Sequence, residues 1–136
     1  MRRPLAALLI LLAALAAGCG TGSSSAGDFE GDEKAVAEQV ERIQTAGQRR
    51  DGESICTDVL AEELRERLTA GNSTCEQELD KVIEDADDFE LTVRDVEISG
   101  QTASAKVEGR VGSAKQVRTL EFVREGEDWR ATSLGS

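Results

Sequence analysis

The sequence predicts an α+β domain in which helices come first and strands second. Between residues 32 and 86 the apolar residues recur three or four positions apart, which is the spacing of one helix face. From residue 89 onward apolar and polar residues alternate, as they do in half-buried β-strands. Helices and antiparallel strands that are segregated along a chain pack as two layers. We therefore expect about three N-terminal helices packed on a curved four-stranded antiparallel meander.

Three helical segments are predicted before the strands. The first covers about residues 32–49 and ends where Asp51 and Gly52 break the pattern. The second, residues 53–68, is expected to form two short pieces. A capping box that pairs Ser73 with Glu76 is predicted to begin the third helix. The expected buried face of that helix consists of Cys75, Leu79, Val82, Ile83 and Ala86.

The strand region carries signals for a bulge and three turns. The alternation changes parity at Arg94 and Asp95, which predicts a β-bulge that bends the sheet. Gly100 predicts the first turn, and a loop over residues 112–116 and a turn over residues 125–128 are expected to follow. The four strands are then neighbours in sequence order, as in an antiparallel meander.

The first residues of the chain resemble a bacterial lipoprotein signal. Arg2 and Arg3 precede an apolar run of thirteen residues, whereas a membrane-spanning helix needs about 20. The run ends in Ala-Ala-Gly-Cys, which is similar to a lipobox, the motif that precedes a lipid-modified cysteine. This resemblance implies a signal peptide over residues 1–18, acyl chains on Cys19, a flexible tether over residues 19–31 and a domain over residues 32–136. An ordinary secreted protein, cleaved near residue 17, is the alternative.

The lipobox resemblance also predicts a location and a disulfide. The domain would be held on the extracytoplasmic face of a cell membrane, and the sequence does not decide between a plasma and an outer membrane. An exported domain with two cysteines in its body most often joins them. We therefore predict a disulfide between Cys56 and Cys75, with two buried free thiols as the alternative.

The net charge of the chain limits the classes of molecule that it is expected to bind. Without residues 1–18 the chain has 14 basic and 27 acidic residues, a net charge of −13. Residues 32–90 carry a net charge of −11, and residues 91–136 carry none. Such acidity argues against nucleic acid and against adsorption to anionic lipid. Solubility alone would also explain it.

The chain resembles the small exported members of the nuclear transport factor 2-like superfamily. The resemblance covers residues 32–136 and rests on Asp51-Gly52 after the first helix, Cys75-Glu76 at the start of the third, and the ending Glu-Asp-Trp-Arg-Ala at residues 127–131. It implies a cone, in which a curved sheet wraps around the helices. Some members use the pocket in the cone for ligands or catalysis, and others leave it filled. A cystatin-like sheet around a single helix is the alternative, and the three helical segments argue against it.

Few residues in the sequence suggest chemistry. The chain has no histidine and no tyrosine, so a general base would have to be a buried carboxylate with a raised pKa. Asp95 and Glu97, near the predicted bulge, are the candidates, although exposed charge explains them equally simply. The acidic run over residues 84–90 could hold a divalent cation weakly, or it could be a solvated helix end. Phe122 and Trp129 are interpreted as possible pocket-lining residues or as plain core.

These observations favour a non-enzymatic domain that binds a small ligand or an envelope protein. We predict no catalytic residue, no metal site and no cofactor, and a membrane contact through the lipid anchor. A dimer is compatible with the sequence. The alternatives are an enzyme of the same cone shape, with a carboxylate base that acts on an apolar substrate, and a structural envelope protein.

Overall fold

The computed structural model describes residues 26–84, 89–111 and 114–135. They form four α-helices packed on a four-stranded antiparallel sheet, which confirms the predicted fold class. The helical half consists of a 3₁₀ turn Ala26–Asp28, α1 Gly31–Arg49, α2 Gly52–Ser54, a π-helix Ile55–Val59, α3 Glu62–Leu68 and α4 Cys75–Glu84. The sheet consists of β1 Leu91–Ser99, β2 Thr102–Val111, β3 Ala114–Glu125 and β4 Asp128–Ser133.

The four strands pair in sequence order, as the predicted meander requires. The β1–β2 ladder shifts register between Val93 and Asp95, which confirms the predicted bulge. The predicted loop over residues 112–116 is wrong at its C-terminal side, because β3 already begins at Ala114. Ala114 pairs with Val111, so cross-strand hydrogen bonding extends the ladder into residues whose sequence shows no apolar alternation.

Helix α1 packs its apolar face on the sheet. Val36, Val40 and Ile43 are buried, as their spacing predicts. At the C-terminal end of the helix Gly47 lies against the ring of Phe89, and a side chain at this position would overlap that ring. The side-chain oxygen of Gln44 accepts a hydrogen bond of 2.7 Å from the Leu91 N–H, which fixes the start of β1 on the helix.

The folded part of the chain already includes residues that the sequence places in the tether. Ala26 is only 4% exposed, and its N–H donates a hydrogen bond of 2.6 Å to Oε1 of Glu41 on α1. The packed domain therefore begins before residue 32, because the 3₁₀ turn docks on the helix that follows it. Among the described residues, no helix is long and apolar enough to cross a membrane.

Helix α4 departs from the prediction at two positions. The capping box is shifted by one residue: Oγ1 of Thr74 accepts from the N–H of Gln77, whose side chain accepts from the N–H of Thr74. Val82, which is predicted on the buried face, is 65% exposed. Cys75, Leu79 and Ile83 alone form the buried stripe, because a short helix against one layer needs only a narrow apolar face. Ala86 lies outside the described residues.

The outer edge of β4 is covered by the segment that links the π-helix to α3. The N–H of Ala61 donates to the carbonyl of Ala131 at 2.9 Å, and Leu60 and Ala131 form a parallel bridge. Arg67 of α3 also donates to the carbonyl of Thr132 at 2.7 Å. These contacts satisfy backbone groups that an open sheet edge would leave for another chain.

The predicted disulfide is present and joins the two helical parts. Cys56 lies in the π-helix and Cys75 is the first residue of α4, with their Cα atoms 6.2 Å apart. Both residues are buried in the hydrophobic core. The bridge therefore ties the segment after α1 to the start of the last helix, in agreement with the predicted layout.

Candidate functional site

Phe122 and Trp129, the two predicted pocket-lining residues, lie on the inner face of the sheet. Each is 1% exposed, and both belong to the single core cluster that α1, the π-helix and α4 complete. Their strand neighbours on that face are small, with Ala103, Ala105 and Ala131 almost fully buried. Two large aromatic rings lie among alanines in the interior of a chain whose other aromatic residues are Phe29 and Phe89. Lining of an open pocket by Phe122 and Trp129 stays a prediction.

Arg124 closes the interior at the end where β3 and β4 meet. It lies opposite Trp129 in the β3–β4 ladder, with its guanidinium carbon 4.9 Å from the centre of the Trp129 ring. Its Nη2 also pairs with Oδ1 of Asp32 in the first turn of α1. This cation–π contact and ion pair join the helix to the sheet over a separation of 92 residues.

Besides Nε of Arg65 and Nε of Arg124, two buried polar atoms on almost fully buried residues have no hydrogen-bond partner among the described residues. They are the acceptor Oε1 of Gln39, on α1, and the donor Nε1 of Trp129, on β4. Gln39 is only 7% exposed. Buried groups of this kind are costly to leave unpaired, so the interior is not uniformly apolar.

Within residues 26–84, 89–111 and 114–135 no carboxylate is buried. Asp95 and Glu97, the predicted candidates, are exposed. Every carboxyl pKa shift that is resolved is downward, at Asp51, Glu76, Glu78 and Glu108. These groups are held in the ionised form, whereas a carboxylate base that works near neutral pH needs a raised pKa.

Three surface clefts are described, and neither Phe122 nor Trp129 lines any of them. The largest, about 520 Å³, lies beside the disulfide between α3 and α4, and Arg65 is the basic residue in its wall. A second, of about 500 Å³, runs between α1 and the π-helix. The third, of about 140 Å³, lies on the outward face of the sheet, near the β2–β3 hairpin. All three are open and lined by mixed charges.

The outward face at the β2–β3 hairpin holds an ion-pair network around Glu108. Arg94 donates two hydrogen bonds to Oε2 of Glu108, at 2.8 and 3.2 Å, and Nζ of Lys115 lies 3.3 Å from Oε1. The hydrogen bond from Arg94 lowers the pKa of Glu108 most, and the hydrogen bond from Lys115 lowers it further. The lining of the small cleft also includes Arg110.

Asp51 caps α2 and provides a pH-dependent contribution to stability. Its Oδ2 accepts from the Ser54 hydroxyl at 2.6 Å and its Oδ1 from the Ser54 N–H at 3.0 Å. The side-chain hydrogen bond, followed by the backbone one, lowers the pKa of Asp51. The pKa of Asp51 is therefore lower in the folded protein than in the unfolded chain, where it is about 3.9. The ionised side chain stabilises the fold above about pH 3.9, and this stabilisation is lost as the pH falls through the folded pKa.

We therefore expect Asp51→Asn to unfold at a lower urea concentration than the wild type at neutral pH. The difference should disappear at about pH 2, where both proteins have a neutral side chain at this position. Asp58→Asn, which removes an exposed carboxylate from the π-helix, is the matched control. Equal urea midpoints of Asp51→Asn and the wild type at neutral pH would show that the charge of Asp51 adds nothing to the cap.

Some predicted features lie outside the described residues. Cys19 and most of the acidic run over residues 84–90 are among them, so the lipidation site and the weak cation site stay predictions. Within the described residues no group of three or more acidic, cysteine or histidine side chains is arranged to hold a metal ion.

Comparison with known proteins shows a similar fold but no sequence relative. No family model and no curated protein matches the chain. A solved structure whose title begins "Rd1NTF2_05" aligns with a TM-score of 0.54 and 13% identity, over 74% of this chain and 95% of that one. The chain has a nuclear transport factor 2-like fold. A "De novo designed NTF2 fold protein NT-9" aligns with a TM-score of 0.47 and 13% identity, over 80% of this chain and 84% of that one.

The features that distinguish this example of the fold were not found from the sequence. Arg124 could have been identified, because it continues the two-residue alternation of Leu120 and Phe122 on the inner face. Gln39 and the contact between Ala26 and Glu41 carry no such signal, since both depend on how α1 is rotated against its neighbours.

Proposed function

We propose that this protein is a lipid-anchored, extracytoplasmic domain that acts by binding an envelope partner at its surface, without catalysis. The burial of the two core aromatic residues supports the proposal. Phe122 and Trp129 occupy the inner face of the sheet at 1% exposure each, and the described clefts open on the outside. A domain with its interior filled in this way recognises a partner through surface groups rather than by enclosing a small molecule.

A lipid anchor would hold this small, strongly acidic domain at a membrane. The domain itself would then need no apolar surface for membrane attachment. Two acyl chains on Cys19 would give stable attachment, whereas one chain gives only reversible binding. The disulfide supports an oxidising compartment, because such bridges persist in exported proteins and are rare in the cytosol.

Metabolic labelling tests the anchor. The full chain, expressed in a bacterium with radiolabelled palmitate, should incorporate label and fractionate with membranes. Cys19→Ser should lose the label, whereas Cys56→Ala/Cys75→Ala, which removes the other two cysteines, should keep it. Label that persists in Cys19→Ser would refute the assignment of the lipidation site.

Native mass spectrometry of the exported, detergent-extracted protein tests the mode of binding. We expect the mass of the lipidated chain, two hydrogens below that of the reduced form and with no further small molecule. A stoichiometric ligand that survives extraction would instead favour an open cone. The unpaired polar atoms of Gln39 and Trp129 would then be the first candidates to contact that ligand.

A further inference from the structure

We propose that the outward face of the β2–β3 hairpin rests on the membrane, where it binds anionic lipid headgroups. The inference rests on the proposed lipid anchor, which would keep the domain beside a bilayer. We call this surface the hairpin patch. It comprises Arg94 and Asp95 of β1 and, from the hairpin, Lys106, Glu108, Arg110, Lys115 and Val117.

The hairpin patch is basic in a chain that is otherwise acidic. Residues 106–118 carry four basic side chains and one acidic, a net charge of +3, in a mature chain of net charge −13. Asp95 lies opposite Lys106 in the ladder, so the patch keeps a net charge of +2, or +1 when Glu90, which lines the same cleft, is counted with it. Since Glu108 is already paired with Arg94 and Lys115, and the patch also holds Arg110, positive charge remains for another partner.

The acidic side chains are concentrated in a different layer. Residues 53–84, which carry α2, α3 and α4, have a net charge of −6. Helix α4 packs mainly against α2, α3 and the π-helix rather than on the sheet. The domain therefore has an electric dipole, with its positive end on the outward face of the hairpin. Beside an anionic surface the hairpin is attracted and the acidic helices are repelled, so the dipole orients the domain.

The patch is accessible and combines cations with an exposed aliphatic side chain. Val117 is 59% exposed, and Lys115 and Arg110 are exposed beside it. Segments that lie on a membrane surface typically combine two kinds of side chain. Their cations bind lipid phosphates, and their apolar side chains enter the headgroup layer. Arg110 has no hydrogen-bond or ion-pair partner among the described residues.

The tether is short enough to keep the domain beside the bilayer. Six residues lie between Cys19 and Ala26, so the seven Cα–Cα steps that join them span at most about 25 Å. Ala26 is fixed on α1 by its bond to Glu41. The overall acidity argues against adsorption from solution, but charges farther than about 8 Å from the surface are screened at physiological salt. Each cation at an anionic leaflet strengthens the contact about fivefold.

The lysines of the chain allow a direct test with an internal control. Lys106 and Lys115 belong to the hairpin patch, whereas Lys34 lies on α1 and Lys81 on α4. The mature chain, residues 19–136, is coupled through the Cys19 thiol to a maleimide lipid. The vesicles contain phosphatidylcholine alone or phosphatidylcholine with one third phosphatidylglycerol. A water-soluble acylating reagent then modifies the lysines, and mass spectrometry gives the rate at each.

We expect Lys106 and Lys115 to react about fivefold more slowly on the anionic vesicles than on the neutral ones. Lys34 and Lys81 should react at the same rate on both. In Lys106→Gln/Arg110→Gln the protection of Lys115 should fall, because two cations are lost without breaking an ion pair of Glu108. In Lys34→Gln/Arg42→Gln, which removes the same pair of residue types from α1, the protection should stay.

Three outcomes would overturn the proposal. Rates at Lys106 and Lys115 that are as high on anionic vesicles as in protein without vesicles would show that the patch does not touch anionic lipid. Equal protection on neutral vesicles would mean that charge does not drive the contact. Protection that grows with protein concentration in the absence of vesicles would assign the patch to a second copy of the chain. Because the coupling is chemical, these results are separate from whether cells lipidate Cys19.

Discussion

Replacing Trp129 by alanine is expected to lower the free energy of unfolding by about 4 kcal/mol. The ring is 1% exposed on the inner face of β4, and its removal leaves a cavity between the sheet and the helices. The substitution also removes the surface on which Arg124 stacks. A domain of this size is stable by only about 5–15 kcal/mol, so this one residue carries a large share of the stability.

Urea unfolding followed by circular dichroism measures this loss, because Trp129 is the only tryptophan and its fluorescence disappears with it. Trp129→Phe should lose less than the alanine variant, since it keeps an aromatic ring in place. Val117→Ala, at an exposed position of the same sheet, should change stability by less than about 0.5 kcal/mol. If Trp129→Ala cost less than about 1 kcal/mol, the interior would not be packed around this ring.

A second measurement on the alanine variant separates packing from binding. If the ring fills space and does nothing else, added indole should occupy the cavity and raise the melting temperature of Trp129→Ala but not of the wild type. Stabilisation of the wild type by indole would mean that the cone already holds an accessible pocket. That result would move the function from surface recognition to ligand binding.

Removing the disulfide is expected to cost about 3 kcal/mol. The bond joins residues 19 apart in sequence, and in the chain-entropy model its main effect is to restrict the unfolded chain. Here it also holds α4 against the π-helix, beside the contacts that α4 makes with α2 and α3. Cys56→Ala/Cys75→Ala should therefore unfold at a clearly lower urea concentration.

The matched control is Cys19→Ala, which removes a cysteine outside the described domain and should leave stability unchanged. Both alanines also remove buried sulfur, so the wild type treated with a reductant gives the contribution of the bond alone. If reduction left the urea midpoint of the wild type unchanged, the bond would contribute nothing to stability in solution.

The strand half was predictable because its signals are local. The parity change at Arg94 and the glycine at residue 100 follow from side-chain alternation and turn chemistry, which depend on near neighbours in sequence. The start of β3 was not predictable, since a strand whose residues are exposed shows no apolar alternation. The pairing with β2 makes that segment a strand, and this pairing is a property of the folded sheet.

The helices show the same division between local and tertiary causes. The apolar spacing of α1 determined its buried face, and the two cysteines in the body of the domain were enough to indicate the bridge. The capping residue of α4 is displaced by one position from the prediction, because Ser73 and Thr74 both carry a hydroxyl that can cap a helix and the path of the chain selects between them. Val82 lies outside the buried stripe, because the single layer beneath α4 has room for only a narrow one.

The sequence by itself determined the order of helices and strands, the two-layer class, the bulge and the disulfide, because periodicity, turn residues and cysteine count act locally or through composition. Only the tertiary structure decided which groups meet. It brought Asp32 to Arg124 and Trp129, buried Gln39, and gathered the basic side chains of β1, β2 and β3 on one outward face. These contacts join residues far apart in sequence, so they depend on how the layers pack.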